Sequence, residues 1–210
     1  MQSTAGSVTL SGLNIAAGDT LVLSMEPQHL KRFYMAGSAD STKLIDVTQW
    51  GAVPWSSMAY AFKGCTNLTD FSASDTLDLS AVYDMRFMFA GATSFNGAIS
   101  HWDISNVTTV ESMFQGAVLF NQDISTWHTD SITNMANLFA GATAFNKNLG
   151  SWNTANVTNM NGMLQQASAF NWYLGSWTLN AAVDLSNMLN ATGMDCTSYS
   201  ATLGDRNDNP

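Results

Sequence analysis

The sequence has few charged residues and very few basic ones. Only 11% of its 210 residues are charged, and 7 basic residues stand against 16 acidic ones, for a formal net charge of −9. Between Gly91 and Gly204 the single Lys or Arg is Lys147. Nucleic acids and anionic membranes are both bound through clustered basic residues. The composition therefore argues against a nucleic-acid partner and against binding to an anionic membrane surface.

Long apolar runs and a targeting segment are also missing. No stretch approaches the roughly 18 apolar residues of a membrane span, so we expect no membrane insertion. The start, MQSTAGSVTL, has neither a basic segment nor an apolar core. We therefore expect no signal peptide. Cys65 and Cys196 are the two cysteines, and they fall several repeats apart in the pattern described below. A disulfide between them is not expected, because its geometry tolerates only short separations.

Patterns typical of enzymes and metal sites do not occur. The sequence has no H-E-x-x-H, G-x-S-x-G, phosphate-binding loop or paired-cysteine motif, and its three histidines are scattered. If repeats stack, Asp103, Asp123 and Asp130 would lie near one another and could hold a cation weakly. Solvated surface charge is the favoured interpretation, because hard cations require several converging oxygens. We expect no enzymatic activity, no cofactor and no metal.

What the sequence does contain is an apolar pattern that returns every 25 residues. A fixed period in this range is typical of stacked repeats, in which each unit buries its apolar face only against its neighbours. Large apolar residues that recur with this period are predicted to form the core, so the tryptophan column is expected to be buried rather than to bind sugars. The repeating aromatics are Phe95, Phe120, Phe145 and Phe170, with Trp102, Trp127, Trp152 and Trp177.

Each unit is predicted to contain a short strand, a polar turn and a short helix. Ile99 and Trp102 mark the strand, and the apolar positions after the turn have helical spacing. Gly116 and its equivalents follow the helix, where a left-handed C-cap favours glycine, although that position becomes Gln166 and Ala191 later. Good N-cap residues precede the helix in successive units: Asp84, Thr109, Asn134, Asn159 and Asp184.

The period divides the chain into three regions. Residues 41–195 are predicted to form the repeat region, an α/β solenoid of about six rungs of short strand plus short helix. Residues 1–40 do not fit the period, and their alternating apolar stretches predict an N-terminal β-rich cap over the end of the core. Residues 196–210 are predicted to form a C-terminal tail.

The segment FKGCTNL, residues 62–68, resembles the F-x-G-C-x-x-L signature of BspA-like leucine-rich repeats. Later units, such as MFAGATSFNGAISHWDISNVTTVESMF, resemble the 25-residue relative of that repeat in bacterial surface proteins and mycoplasma lipoproteins. The resemblance covers residues 42–203. It implies a leucine-rich-repeat-like solenoid with the Ile99/Trp102 segments as a parallel strand ladder. It also implies an extracellular or cell-surface location and cell adhesion, and its motif carries no catalytic residues.

Two adjacent aromatics, Trp172 and Tyr173, are the first candidate binding residues. They stand where other units have small or polar residues, so they predict a local contact patch. Packing against the tail or against a further repeat explains them equally well. The residues at the equivalent positions are Gly97 and Ala98, Gln122 and Asp123, and Lys147 and Asn148.

The predicted strand ladder supplies the other candidates. Ser100 and His101 in one unit, with Ser125 and Thr126 in the next, would form a shallow, adaptable polar surface. Together with the aromatic pair, they predict a noncatalytic adhesion module that binds a protein or glycan on another cell or matrix. The alternative is a structural spacer, or a virion or fibre component, that projects or decorates a larger assembly. In either case the chain is expected to be part of a larger protein or assembly.

Overall fold

The computed structural model describes residues 31–207. Within this range the helices are a 3-10 turn, Ser41–Lys43, and an α-helix, α1, Cys196–Asn207. Neither of these two helices is long and apolar enough to cross a membrane. Most of the remaining described backbone consists of turns. The predicted N-terminal cap lies mainly outside the described residues.

The backbone winds into stacked layers that are joined by single parallel bridges rather than by strands. Residues about 25 positions apart in the sequence lie side by side in neighbouring layers. The layering already includes residues 31–35, because the Ser56 N–H donates to the Lys31 carbonyl at 2.9 Å and the Met35 N–H donates to the Tyr60 carbonyl at 3.3 Å. The bridge residues, one for each layer, are Arg32, Ser57, Asp84, Thr109, Asn134, Asn159 and Asp184.

The predicted α/β solenoid, with rungs of strand plus helix, is wrong. No sheet occurs among the described residues, and the Ile99/Trp102 segment is not a strand. Instead, the Trp102 N–H donates to the Ile99 carbonyl at 3.1 Å and closes a turn. The parallel bridges lie elsewhere, at the positions predicted as helix N-caps, such as Thr109. The leucine-rich-repeat-like strand ladder is therefore absent from this part of the chain.

The predicted repeat helices are replaced by what we call the turn ribbon, residues 84–92 and their equivalents in other layers. Along the ribbon, backbone N–H groups bond alternately to the next layer and to their own layer. The Ser112 N–H donates to the Ala136 carbonyl at 2.8 Å, whereas the Met113 N–H donates to the Val110 carbonyl at 3.1 Å. In an α-helix every N–H would instead bond four residues back. Helical spacing of the apolar residues thus occurs without a helix.

Left-handed backbone conformations explain why the ribbon cannot be helical. Each layer from residue 57 onward has two residues with positive φ, four positions apart, such as Ser112 at 53° and Gly116 at 67°. The left-handed conformation predicted at Gly116 and its equivalents is confirmed, and it persists at Gln166 (60°) and Ala191 (58°). The helix that this glycine was expected to terminate does not exist, because a second left-handed residue interrupts the same segment.

The core consists of aromatic columns that run from layer to layer. Phe114 and Phe120 stack within one layer with ring centroids 3.8 Å apart, and Phe114 stacks on Phe139 of the next layer at 5.6 Å. Phe120 also stacks on Phe145 at 6.0 Å, and all four rings are fully buried. The prediction that the periodic aromatics form the core is confirmed.

The tryptophan column is also buried, and its polar group is used inside the stack. The indole N–H of Trp127 donates to the Ile99 carbonyl at 3.1 Å, and that of Trp177 donates to the Leu149 carbonyl at 2.8 Å. Trp152 makes the same bond to the layer before it. These side chains therefore join adjacent layers and leave no free face for a sugar, as predicted.

The helix α1 lies against the last layers of the stack. Thr202 is fully buried, and its hydroxyl donates to the Ser198 carbonyl at 2.8 Å while it accepts the Leu174 N–H at 3.2 Å. Asp195 caps the helix by accepting the Ser198 N–H at 2.7 Å. The helix thus docks onto the stack through a hydrogen bond that its Thr202 hydroxyl accepts from the Leu174 N–H. Residues 196–207 of the predicted tail are helical.

Candidate functional site

Trp172 and Tyr173 lie on the surface of one of the last layers. Phe170, two positions before the pair, is a fully buried core aromatic, and the residue after the pair, Leu174, is fully buried too. The chain therefore leaves the core after Phe170 and returns at Leu174, so the two aromatics between them are held outside. Trp172 is 40% exposed and Tyr173 is 37% exposed. Packing against the tail, the alternative interpretation, does not bury either side chain in the described part of the chain.

A glycine next to the pair determines where the Tyr173 ring lies. A Cβ atom placed on Gly175 would be 2.5 Å from the Cε2 and Cζ atoms of Tyr173, too close for any side chain. Tyr173 is therefore folded back over the backbone of Gly175. This contact covers one side of the phenol ring. Tyr173 is thus partly preorganised, which lowers the entropy lost when a ligand orders it.

Polar groups beside the pair give the surface a hydrogen-bonding edge. Asn171 donates from its side-chain amide to Asp195 at 2.9 Å, and the Asp195 N–H donates to the Asn171 side-chain oxygen at 3.0 Å. The hydrogen bond from Asn171, together with that from the Ser198 N–H, lowers the pKa of Asp195. An ionised carboxylate is therefore fixed next to the aromatic pair, where it can accept hydrogen bonds from ligand hydroxyl or amide groups.

The polar ends of the two aromatic side chains are not used within the described part of the protein. Among the hydrogen bonds between described residues, none involves the indole N–H of Trp172 or the phenol of Tyr173. The indole N–H groups of Trp127, Trp152 and Trp177, by contrast, all bond to carbonyls inside the stack. Buried Trp and Tyr usually find such partners, and exposed ones offer them to a ligand.

The four predicted residues of the strand ladder lie in turns, since the ladder does not exist. Ser100, His101 and Thr126 are exposed, and Ser125 is half-buried. The Thr126 hydroxyl donates to the Ser100 carbonyl at 3.1 Å, and the Ser125 N–H donates to the Asp123 carboxylate at 3.0 Å. These groups therefore join layers and stabilise turns. No hydrogen bond between described residues uses the side-chain donors of Ser100 and His101.

The structure does not bring the two sets of predicted residues together. Ser125 and Thr126 belong to the layer that contains Phe120, whereas Trp172 and Tyr173 follow Phe170, two layers further along the stack. No hydrogen bond between described residues connects the sets. The candidate site is therefore the aromatic pair with its polar edge. Sequence analysis missed Asn171 and Asp195 as that edge, although Asp195 follows Asn171 by 24 positions, close to the repeat.

The described residues contain no group of three or more His, Cys, Asp or Glu side chains that could hold a metal ion. Asp103 and Asp123 instead accept the N–H groups of Ser105 and Ser125, both at 3.0 Å. Hydrogen bonds from the same serines lower the pKa of both carboxyl groups. Each of these two carboxylates therefore closes a local turn.

Both cysteines are free thiols in different environments. Cys65 is buried and Cys196 is exposed. Burial raises the pKa of the Cys65 thiol to about 12, so this thiol stays protonated at neutral pH. A protonated, enclosed thiol is a poor nucleophile, so its position indicates packing rather than chemistry.

Comparison with known proteins gives a family match across most of the described chain. The family described as "Mycoplasma protein of unknown function, DUF285" matches residues 32–130, 56–177 and 98–201. The three matches overlap and together span residues 32–201, so the family pattern is found repeatedly along the stacked layers. No curated protein matches the chain significantly.

Proposed function

Because the chain belongs to the DUF285 family, which includes BspA-like repeat proteins, we propose that it is a noncatalytic recognition module. It binds a protein or glycan on the surface of another cell or matrix. In this proposal its layers are 25-residue repeats of the type found in mycoplasma lipoproteins, and it acts outside the cell or at the cell surface. The binding site is the Trp172–Tyr173 pair.

One observation carries the proposal: Trp172 is the exception among the tryptophans. The chain has seven of them, and the other six are at most 9% exposed, whereas Trp172 is 40% exposed. The fold buries all six of the other tryptophans. An exposed indole beside an exposed phenol therefore provides apolar area that the stack does not use, and such patches are typical of interaction sites.

The surroundings of the pair support a glycan or a polar protein surface as the ligand. Aromatic faces pack against the C–H groups of sugars and against aliphatic side chains. The fixed carboxylate of Asp195 and the amide of Asn171 offer acceptors and donors at the edge of the pair. A ligand that presents an apolar face bordered by hydroxyl or amide groups would satisfy both parts of this surface.

The test is binding of the purified chain to an array of glycans and extracellular-matrix proteins. The double variant Trp172→Ala/Tyr173→Ala should lose selective binding while its melting temperature stays close to that of the wild type. The matched control is Tyr83→Ala, because Tyr83 is 56% exposed on a different layer. The control variant should bind like the wild type.

A different outcome would support the structural alternative. If the folded wild type binds nothing on the array, or if the double variant binds equally well, the pair is not a recognition site. A spacer or fibre component would then be the better proposal, since layers that are hydrogen-bonded to one another along their length form a continuous elongated unit. The melting temperature separates these outcomes from loss of folding.

A further inference from the structure

A second aromatic cluster lies on the first layers, and sequence periodicity did not predict it. Tyr60 and Phe87 occupy the first left-handed position of their layers, with φ of 63° and 55°. Tyr34 lies next to Tyr60 in the preceding layer, where the Met35 N–H reaches the Tyr60 carbonyl. We call Tyr34, Tyr60 and Phe87 the aromatic ridge. In later layers the equivalent positions are small or polar: Ser112, Asn137, Gly162 and Asn187.

The three rings of the aromatic ridge contact in series, with Tyr60 between Tyr34 and Phe87. The rings of Tyr60 and Phe87 are almost parallel, with 9° between their planes and 5.0 Å between their centroids. This separation indicates an offset stack, which leaves part of each ring face uncovered. Tyr34 packs on Tyr60 at 5.6 Å and is itself 54% exposed. The ridge is thus a continuous aromatic surface across three layers.

Two cations are held over the aromatic ridge. The Lys63 ammonium lies 4.9 Å from the Phe87 ring and 5.4 Å from the Tyr60 ring, and the Arg32 guanidinium lies 5.2 Å from the Tyr34 ring. All three distances are in the range of cation–π contacts. Neither cation belongs to an ion pair among the described residues, whereas the nearby Arg86 is paired with Asp84. Lys63 and Arg32 therefore have positive charge that no described carboxylate neutralises.

The fold does not require aromatic residues at these positions. A bulky side chain with positive φ is a conformational outlier, and it costs free energy that glycine or asparagine largely avoids. The later layers hold Asn137 and Gly162 at the same position, with φ of 53° and 60°. The same turn ribbon therefore forms without a ring. Tyr60 and Phe87 are half-buried, so their strained backbone persists although packing does not fully enclose the rings. Backbone strain of this kind is typical of a functional site.

The backbone beneath the ridge is already paired. The Tyr60 N–H donates to the Arg86 carbonyl at 2.9 Å, and the Phe62 N–H donates to the Met88 carbonyl at 2.8 Å. A peptide cannot bind here by adding a strand, since that mode uses unpaired backbone groups. The ligand must be recognised by side chains, through ring surfaces, phenol hydroxyls and two positive charges. Two cations that no described carboxylate neutralises also fit a ligand with widely spaced anionic groups better than a nucleic acid with a phosphate at every unit.

We propose that the aromatic ridge, with Arg32 and Lys63, binds a polysaccharide that contains uronic acids. Sugar C–H faces pack on the uncovered parts of the rings, and the carboxylates pair with the guanidinium and the ammonium. The ridge lies in the part of the chain before Gly91, and this agrees with the uneven charge, because Lys147 is the single Lys or Arg between Gly91 and Gly204. This site is separate from the Trp172–Tyr173 pair.

The probe is hyaluronate of defined length, titrated into the full chain and followed by isothermal calorimetry. Lys63→Gln and Arg32→Gln should each weaken binding about tenfold, as expected for loss of a charge-assisted contact. The control Lys147→Gln removes a cation from a distant layer and should bind like the wild type. Binding should also weaken as salt is raised, because exposed charges are screened.

Phe87→Asn separates recognition from folding. It introduces the residue that the next-but-one layer carries at this position, Asn137, and it relieves the strained backbone. We expect about tenfold weaker hyaluronate binding with no decrease in melting temperature. A lower melting temperature with unchanged binding would show that the ring serves the fold alone, and it would overturn the proposal.

Other polymers decide the class of ligand. Polyglutamate, single-stranded DNA and neutral dextran should bind at least about tenfold more weakly than hyaluronate. Equal or tighter binding of polyglutamate or DNA would assign the ridge to an acidic protein or a nucleic acid. If neither hyaluronate nor any of these polymers binds saturably, the proposed site does not exist. The double variant Trp172→Ala/Tyr173→Ala should keep its hyaluronate affinity, so that failure of one proposal does not imply failure of the other.

Discussion

At the scale of single residues, left-handed backbone conformation governs the identity of two positions in each layer. The second of these is Gly64, Gly91, Gly116 or Gly141 in earlier layers and Gln166 or Ala191 in later ones, always with positive φ. Because only glycine adopts this conformation without steric cost, the later layers carry strain that the earlier ones avoid. The left-handed conformation at this position is therefore a requirement of the turn ribbon, which glycine meets without strain, and it does not mark a helix end.

Exchanging residues in this column should change stability in opposite directions. Gly141→Ala should lower the free energy of unfolding by about 1 kcal/mol through its φ of 71°. Steric overlap is not the cause, because the new Cβ would lie 3.8 Å from the Gly116 backbone. Gln166→Gly should raise the free energy of unfolding by about the same amount. Urea denaturation measures both, and a stabilising Gly141→Ala would show that backbone strain is not the determinant.

Truncation of a core phenylalanine should be among the most costly changes. Phe120 is fully buried and stacks on Phe114 within its layer and on Phe145 in the next. Phe120→Ala should therefore lower the free energy of unfolding by about 3–5 kcal/mol. The exposed Tyr83→Ala is the control, with an expected loss below about 1 kcal/mol. A loss below about 1 kcal/mol for Phe120→Ala in chemical denaturation would contradict the role of the aromatic columns.

At the scale of elements, the turn ribbon and the docked helix replace the strand and helix of the predicted unit. The ribbon satisfies half of its N–H groups within a layer and half in the next layer, as Met113 and Ser112 illustrate. A single layer is not stable alone, because it would leave alternate N–H groups and one face of its aromatic rings in water. The elements therefore depend on stacking, and α1 depends on its contact with the last layers.

The docking of α1 should be sensitive to one hydroxyl group. Thr202→Val keeps the shape of the side chain but removes the acceptor for the Leu174 N–H, which is buried. An unpaired buried N–H costs about 1–3 kcal/mol, so the free energy of unfolding should fall by that amount. Amide exchange in α1 should also accelerate. Ser200→Ala, an exposed change in the same helix, is the control, and equal effects of the two variants would exclude docking through Thr202.

At the scale of the whole molecule, the chain is an acidic stack whose surface carboxylates close turns. Asp75 accepts the N–H groups of Trp50 and Gly51, and these bonds lower its pKa, that from Trp50 most. Several other carboxyl groups have lowered pKa values because a neighbouring serine donates to them, from both side chain and backbone. They are Asp78, Asp103, Asp123 and Asp184. Turn formation and ionisation are thus linked along the length of the stack.

This linkage predicts loss of stability in acid. A carboxyl group whose pKa is lower in the folded state stabilises the fold above the unfolded value, here 3.8. That contribution disappears as the pH falls through the folded pKa. The melting temperature should therefore change little between about pH 7 and 5 and should fall progressively below about pH 4. Circular dichroism melts across this range test the prediction, and a melting temperature that rises below pH 4 would contradict it. Asp75→Asn should reduce the acid-dependent part of the change.

The sequence by itself determined which residues repeat, which aromatics form the core and where one left-handed position lies in each layer. Burial and backbone sterics act at each position separately, so a periodic pattern reveals them. Only the tertiary structure decided where alternate N–H groups such as that of Ser112 find their partners, because the next layer and the same turn offer equivalent carbonyls. It likewise decided that Tyr34, Tyr60 and Phe87 form one ridge and that Asp195 is hydrogen-bonded to Asn171, the residue before Trp172. The ridge contacts lie in the first layers, where the spacing between repeats is irregular, and the Asp195 contact lies at the start of the docked helix. No local sequence pattern encodes either.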